Sequence, residues 1–578
     1  MLASRAVNVP ARRRWVEVPC DEAAAQGLER ALSLHPLAAR TLACRGLADP
    51  AEAERFLAAR LADLPDPFLM RGMEEAVGRI RRALADRERV CVYGDYDVDG
   101  VTSTVILTRF LRAAGGEVVT YTPHRLVEGY GLNAGAVAKL AADGVKLLVT
   151  VDCGITSVEE VRAAAALGLE VVVVDHHTVP VALPAAAAIL NPHQPGCGYP
   201  SKVLAAVGVT FCLLMALRKR LREAGWFGAA RPEPNLREYL DLVALGTVAD
   251  VVPLTGANRV LVRHGLEALA KTGRPGLRAL KQVAGVPEGA PVTAGQVGFR
   301  LGPRVNAAGR LDDAGRGVRL LLCEDPAEAA ALARELDDEN RARQEIERQI
   351  LDEALTEAAA RVAEGARGLV LAREGWHPGV IGIVASRVVE RFHRPTLLIG
   401  VNDGVGKGSG RSIEGFHLYD ALASCERHLA RFGGHKHAAG VTVAPEAIPA
   451  FRAAFEAHAA GALGEDDLVA RCRIEGRLAA GEATERAAEA LERLAPFGAG
   501  HPEPLFALRA RPTRARSMGA GGAHLKLAFG GVDAVGFSMG DRLPLCDGEV
   551  EVAASLGFDE WDGRRRLQLK LKDLRRPA

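Results

Sequence analysis

No stretch of this 578-residue chain approaches the roughly 20 uninterrupted apolar residues a membrane helix needs, and the basic Met1 to Trp15 segment lacks the apolar run of a signal peptide. No membrane association is expected, and the cytoplasm is the expected compartment. Charge of one sign is lacking too: 73 Lys and Arg stand against 72 Asp and Glu, leaving +1. With no global basic field to attract nucleic acid or an anionic surface, any polyanion partner must be held by local clusters. The ten cysteines contain no CxxC pair, so they read as reduced core residues rather than as a zinc site. What is present is an ordinary globular mixture, 48% hydrophobic and 25% charged, which excludes a largely disordered or collagen-like chain. At about 100–200 residues per domain, the length implies three or four domains with several buried cores.

Residues 1–85 are rich in Ala, Arg and Glu with apolar residues at helical spacing, as at Phe56, Leu57 and Leu61, and predict a helical lead-in. From Val90 the pattern changes. Val90–Tyr93, Lys146–Val151 and Glu170–Val174 are short apolar runs, each ending in an acidic turn, and helical patterns follow at Val101–Ala114 and Ser157–Leu167. This alternation predicts βαβ units and a parallel sheet. A further apolar segment, Tyr239–Val248, ends at Ala249-Asp250, and Asp325–Gly365 reads as a long polar helix joining two lobes. Gly368–Ala372 and Thr396–Ile399 read as strands flanking a helical Ile381–Arg391, a second α/β domain. Short alternating segments in the tail, such as Leu525–Phe529, Val550–Leu556 and Leu567–Leu571, predict a small β-barrel.

Asp95, Asp97 and Asp99, then Asp152, then Asp175-His176-His177, and Asp250 all fall at the ends of strand-like runs. In a parallel sheet such ends converge on one edge, where ligands bind. Carboxylates crowded together repel unless divalent cations neutralise them, and oxygen-rich ligands with one or two His favour Mn²⁺ or Mg²⁺. A central Asp152 could bridge two ions, and two metals about 3.5–4 Å apart suit in-line displacement at phosphorus. Each cluster alone has a plain structural alternative: a Gly/Asp turn for Gly94–Gly100, a helix cap for Asp152 or Asp250. A His-His pair closing an apolar strand is rarer in a structural role, because two polar rings there need several buried partners.

Tyr93-Gly94-Asp95-Tyr96-Asp97-Val98-Asp99-Gly100, Val151-Asp152-Cys153-Gly154, Asp175-His176-His177 and Gly246-Thr247-Val248-Ala249-Asp250 resemble the ordered motifs of the DHH phosphoesterase superfamily. Gly302 to Leu311, Gly375 to Gly382, Gly433 to Gly440, Ala495 to Gly498 and Pro502 to Pro504 resemble its bacterial branch of single-strand-specific 5′→3′ DNA exonucleases, so the likeness runs from about Val90 nearly to the end. It implies two α/β lobes joined by a long helix with a C-terminal OB-like β-barrel. The divisions are a helical N-terminal region at 1–85, a DHH catalytic domain at 86–320 and a connector helix at 321–365, then a DHH-associated domain at 366–462 and an OB-like nucleic-acid-binding domain at 463–578.

The resemblance also implies roles. Asp97, Asp99, Asp152, His176 and Asp250 would hold two Mn²⁺ or Mg²⁺ ions, with Asp152 bridging and Asp95 an extra carboxylate. His177 would contact the scissile phosphate or assist proton transfer, and Asp175 would orient an imidazole. Many relatives carry a His where this chain has Tyr93. For the strand, Arg125 would pair with the 5′ phosphate and Tyr130 stack on a base, while Arg304, Asn306 and Arg310 sit in a Gly-punctuated loop. Ser409, Arg411 and Ser412, within Gly406 to Ser412, form a candidate anion nest, and Gly434 and His435 repeat the theme. Arg564 to Arg566, Lys570 and Lys572 offer cations on apparent strands. The implied activity is metal-dependent 5′→3′ hydrolysis of single-stranded DNA, releasing 5′-mononucleotides in recombination and repair, by a monomer that cooperates with single-strand-binding protein and a helicase. Two alternatives stand beside it. A superfamily hydrolase of short oligonucleotides, cyclic dinucleotides or pyrophosphate would typically be shorter, and a non-enzymatic replication scaffold would be expected to have lost ligands.

Overall fold

Runs of Val and Leu too short for helices build the sheet that carries the candidate residues. The computed structural model describes residues 13–124, 128–129, 131–311, 315–561 and 564–577. The chain divides into two units, one of Arg55–Arg341 with Ala495–Glu503, the other of Met1–Glu54, Ala342–Leu494 and Pro504–Ala578. In the first, five parallel strands lie in the order Glu117–Tyr121, Arg89–Gly94, Leu147–Val151, Glu170–Val174, Ala188–Leu190. Alternate strand residues face two different cores. Val92, Val149, Val172 and Val174 pack with the helices Met73–Ala85, Val98–Ala113 and Ala206–Glu223, whereas Tyr93, Leu148, Val171 and Val173 pack with Ala134–Ala142 and Val158–Ala166. Helices on both faces explain the unbroken apolar runs, each buried Val contributing roughly 1.5–3 kcal/mol.

Strand register aligns the candidate residues. Gly94 pairs with Val151, Val151 with Val174 and Val174 with Leu190. The next residues, Asp95, Asp152, Asp175 and Asn191, therefore form one row along the carboxyl edge.

Three expectations are corrected in this unit or its neighbour. Asp250 does not end a strand: Leu240–Ala249 is a helix and Asp250 caps its C-terminus. Its residues from Leu240 to Thr247 are all buried, so the segment has no polar face to reveal a helical period. Arg304, Asn306 and Arg310 lie not in a loop but on the helix Gly302–Leu311, entered through the π-helical turn Val297–Leu301. Among the described residues, the N-terminal region is helical from Glu22 but starts with the strand Arg13–Glu17, which pairs in parallel with Ala470–Ile474.

The 38-residue helix Pro326–Ala363 realises the expected connector, its Leu332 and Leu336 in the first unit's core and its Ile350, Ala354 and Ala358 in the second's. There a five-stranded mixed sheet runs Arg431–Gly434, Ala438–Val443, Val405–Arg411, Thr396–Asn402, Leu369–Glu374. The helices Ile381–Phe392 and Ile448–Ala462 cover its opposite faces. The tail forms a seven-stranded sheet in which Val550–Trp561 and Arg564–Arg575 pair along their length. Among the described residues no helix is long and apolar enough to cross a membrane.

Candidate metal centre and strand-binding residues

The loop after Gly94 turns directly into the Val98–Ala113 helix. Asp97 is its N-cap, with Oδ1 accepting from the amides of Asp99 (2.9 Å) and Gly100 (3.1 Å). A Cβ at Gly100 would stand 2.5 Å from the Asp95 carbonyl oxygen, so only glycine lets the loop fold back this closely. Asp99, one residue into the helix, points inward. Its two carboxylate oxygens accept from the amides of Ala206 (2.6 Å) and Val207 (2.8 Å) at the start of the Ala206–Glu223 helix, a favourable place for an anion. The helix carrying Asp250 reaches Asp99 because residue 246 is glycine: a Cβ there would meet Thr102 Oγ1 at 2.2 Å and Asp99 Oδ1 at 3.3 Å.

Asp152 is buried in a left-handed backbone conformation at φ 64°, a geometry that Gly, Asn and Asp adopt far more readily than other residues. His176 Nε2 stands among three carboxylates, 3.3 Å from Asp152, 3.6 Å from Asp250 and 3.9 Å from Asp99. Asp175 organises the neighbouring ring. Its Oδ1 accepts from the amides of His176 (2.7 Å) and His177 (3.1 Å) and lies 2.7 Å from His177 Nδ1, while Oδ2 accepts from Ile155 N at 3.0 Å. The imidazole that Asp175 orients is thus that of His177. Asn191, which sequence reading missed, donates to the His177 carbonyl at 2.9 Å and accepts from His193 N at 2.8 Å. Its signal was present: a polar residue closing the Ala188–Leu190 run in the same row as the aspartates.

Electrostatics set these groups apart. Burial, reinforced by Asp97, pushes the Asp99 carboxyl up to about 7, and burial with the surrounding carboxylates pushes Asp152 and Asp250 well above the usual range. Burial acts against the Asp175 carboxylate as well, yet its hydrogen bonds to His177 outweigh that and hold it low. Burial and the charge of His177 lower His176 to about 4. His177 itself, although desolvated, is raised to about 9 by Asp175.

Ligand atoms of Asp95, Asp97 and Asp152 lie within 4.8 Å of one another, as do those of Asp99, His176 and Asp250, and those of Asp152, His176 and His177. Among the described residues, His176 Nε2 and Asp250 Oδ2 are buried with no hydrogen-bond partner. Orphaned ligand atoms, raised carboxyl groups and three sets of ligand atoms linked through Asp152 and His176, two of them oxygen-rich, fit a pair of hard divalent cations. Tyr93 is a buried core residue whose hydroxyl donates to Gly131 O at 3.0 Å.

The strand-binding candidates divide. Arg125 and Tyr130 lie outside the described residues. Arg304 uses its guanidinium on Asp337 Oδ1 (2.8 Å), Arg300 O (2.6 Å) and Val283 O (3.3 Å), tying its helix to the connector. Asn306 accepts from Val98 N at 3.1 Å and so supports the start of the helix that bears Asp99. Arg310 is half-buried near the end of the Gly302–Leu311 helix. In the second unit, Gly410 pairs with Ala439 and Ala439 with Gly434, so Ser409 and Arg411 lie level with Gly434 but with the strand Ala438–Val443 between them. Gly406 to Arg411 is not a flexible nest but an inner strand. Ser409 Oγ accepts from Arg411 at 3.2 Å, and Ser412 donates to Phe416 O at 2.9 Å. In the tail, Arg565 pairs with Glu492 and stacks 3.7 Å over Phe558, while Arg566, Lys570 and Lys572 lie on the same strand.

Three family models match the chain: the DHH family N-terminal domain at residues 89–247, the DHHA1 domain at 365–461 and the RecJ OB domain at 474–573. The single-stranded-DNA-specific exonuclease RecJ of Dickeya dadantii is 44% identical over 94% of this chain and 96% of its own length. The enzyme of the same name from Escherichia coli K12 is 40% identical over 98% and 99%. The crystal structure of RecJ from Thermus thermophilus in complex with Mn²⁺ superposes with a TM-score of 0.83 at 37% identity, covering 98% of this chain and 80% of that one. A Mg²⁺ complex of the same enzyme gives 0.78. With identities of this size over nearly the full length of both partners, and with the aspartates and histidines gathered on one sheet edge, the chain belongs to the RecJ family of single-stranded-DNA-specific exonucleases, within the DHH phosphoesterases.

Proposed function

We propose that the chain is a metal-dependent 5′→3′ exonuclease that hydrolyses phosphodiester bonds of single-stranded DNA and releases 5′-mononucleotides in recombination and repair. The observation that carries this is the convergence of Asp95, Asp97, Asp99, Asp152, His176, His177 and Asp250 into three overlapping sets of ligand atoms. Asp97, Asp99, Asp152, His176 and Asp250 would hold two Mn²⁺ or Mg²⁺ ions, with Asp95 as an additional carboxylate. When bound, such ions supply Lewis acidity toward water and the phosphoryl oxygens. A low proton affinity keeps His176 neutral, with Nε2 directed among the carboxylates. His177 is held as a cation by Asp175 through Nδ1, which leaves Nε2–H to donate to a phosphate oxygen or to hand a proton to the departing 3′ oxygen.

The domain division that goes with this reading is an N-terminal region at 1–85, the DHH domain at 86–320, the connector at 321–365, the DHH-associated domain at 366–462 and the OB-like domain at 463–578. Ser409, Arg411, Ser412, Gly434 and His435 would line the path of the strand, with Arg125 and Tyr130 near its 5′ end. A cytoplasmic monomer working with single-strand-binding protein and a helicase completes the proposal, supported by the family resemblance.

Long single strands labelled at either end, incubated with the protein and Mn²⁺, test it. Early release of the 5′ label as mononucleotide is expected, and Asp152→Ala should abolish release while strand binding largely persists. Cleavage confined to dinucleotides, first release of the 3′ label, or an active Asp152→Ala protein would overturn it.

A further inference from the structure

Two large apolar side chains stand in solvent at the end of the helix that delivers Asp250. Phe299 is 81% exposed and Val251 71%. Val251 follows Asp250 directly and takes a left-handed backbone at φ 61°, which a β-branched residue adopts only under strain. Its amide donates back to Val248 O at 3.2 Å, so it stays against the end of the helix. Phe299 rides on the π-helical turn Val297–Leu301, a form that is rare and concentrates at functional sites. That turn lies against the same helix end. A Cβ at Gly298 would stand 3.9 Å from Val248 Cγ1, and one at Gly302 3.3 Å from Ala249 Cβ. Val297 and Leu301 are buried, whereas Phe299 and Arg300 face outward. The turn packs through its inward residues Val297 and Leu301, and Phe299 takes little part in that packing.

The surroundings indicate an occupant. A flat aromatic surface with an exposed guanidinium at the next residue, which spends one N–H on Gly285 O at 3.3 Å, lies one helix end away from the carboxylate cluster and matches a nucleotide: a π-face for the base and a cation for the phosphate. Every base offers a π-face, so such a contact holds any sequence. It also requires a base that is not already stacked within a duplex.

We propose that Phe299, at the same helix end as Val251, is a stacking platform for one unpaired base of the DNA strand as that strand reaches the metal cluster, and that Arg300 contacts the phosphate next to that base. This rests on the exonuclease reading and adds to it a residue that grips and selects single strands.

The test uses the full chain with Mn²⁺ and three proteins: wild type, Phe299→Ala and Phe299→Trp. Substrates are a 5′-phosphorylated oligodeoxyadenylate, a set of the same oligonucleotides each carrying one abasic residue at a successive position, an oligonucleotide of the same length with every residue abasic, and bis(p-nitrophenyl) phosphate. Phe299→Ala is expected to lower kcat/KM on the oligonucleotide by about 5- to 100-fold, the usual range for one base–aromatic stack. Phe299→Trp should retain most of the activity, and turnover of the fully abasic oligonucleotide should be equal in all three. In the wild type an abasic residue at one position should carry a penalty that disappears in Phe299→Ala. An unchanged kcat/KM for Phe299→Ala, or a lowered one that keeps every abasic penalty, would overturn the platform alone. A wild-type protein that turns over bis(p-nitrophenyl) phosphate but releases no nucleotide from DNA would overturn the exonuclease reading, and the platform with it.

Discussion

Replacing Asp152 by Asn should inactivate the protein yet make its metal-free form more stable at alkaline pH. Asp152 is buried among Asp95, Asp97, Asp99 and Asp250, and burial followed by those charges pushes its carboxyl well above the ordinary range. A carboxyl raised in the folded state gives stability that is fully present below its unfolded pKa and lost as pH rises through the folded value. For Asp99 that window runs from 3.8 to about 7. At about 1.36 kcal/mol per tenfold change in proton affinity, its ionised form costs the metal-free fold on the order of 4 kcal/mol. Neutralising Asp152 removes one of the charges that oppose this ionisation, and Asn tolerates the left-handed backbone at φ 64°. In EDTA at pH 8 the thermal midpoint of Asp152→Asn should exceed that of the wild type, and the gap should shrink as pH falls toward 4. Adding Mn²⁺ should reverse the order, because a ligand that binds only the folded state stabilises the protein that still holds it. Scanning calorimetry at matched protein concentration across pH 4–8, with EDTA and with Mn²⁺, reads all of these. An Asp152→Asn protein less stable than wild type in EDTA at pH 8, or a gap that does not change with pH, would refute the claim that these carboxylates repel one another when no cation is bound.

Asp175→Asn should remove the anion that keeps His177 protonated, so its pKa should fall from about 9 toward the ordinary histidine range, and activity should fall about 10- to 100-fold, the usual effect of losing an outer hydrogen-bond partner; the imidazole NMR titration and the pH–rate profile measure both. Gly246→Ala places a Cβ 2.2 Å from Thr102 Oγ1 and 3.3 Å from Asp99, so it should cost about 1–3 kcal/mol in urea unfolding and weaken Mn²⁺ binding measured by calorimetry. Arg259→Met takes a buried guanidinium away from the carbonyls of Phe56 (3.0 Å) and Ala495 (2.9 Å). Unpaired buried carbonyls cost roughly 1–3 kcal/mol each, so amide exchange should speed up across residues 495–503 before it does in the sheet strands.

The parallel sheet was legible because buried parallel strands write themselves as continuous Val and Leu runs, and the row of Asp95, Asp152 and Asp175 followed from where those runs end. Elements whose burial is even on all sides were not. Leu240–Ala249 has only Asp241 and Thr247 as polar residues, both buried, and no polar face to mark a period, so its run served equally as strand or helix, and Asp250 reached the cluster from a helix end. Gly302–Leu311 carries Gly302, Pro303 and Gly309, which argue for a loop, yet buried Val305, Ala307 and Ala308 hold it helical: packing overrides propensity. In Val405–Arg411 the mistake was one of period. Gly406, Gly408 and Gly410 alternate with Lys407, Ser409 and Arg411, the period of two that a strand shows. Cβ atoms at the three glycines would stand 2.8 Å from Val443 O, 2.5 Å from Val441 Cγ2 and 3.0 Å from Leu418 Cδ2, so the glycines mark a crowded face rather than a mobile turn.

No local pattern announces contacts between distant segments, and the site depends on several. Asn306 supports the first turn of the helix bearing Asp99 from more than two hundred residues away, at 3.1 Å from Val98 N. Ala495–Glu503, which sequence reading gives to the start of the tail domain, folds with the first unit and brackets the stretch just after Asp250. Leu254 N donates to Ala499 O at 2.8 Å, Cβ atoms at Gly498 and Gly500 would stand 2.7 Å from Leu254 Cδ1 and 2.8 Å from Pro253 Cβ, and Arg259 binds Ala495 O. The strained Val251 is therefore followed within three residues by a hydrogen-bonded clasp. That clasp supplies the over-determination a left-handed β-branched residue needs in order to persist, and it places the cost of holding Asp250 in a segment nearly 250 residues further along the chain.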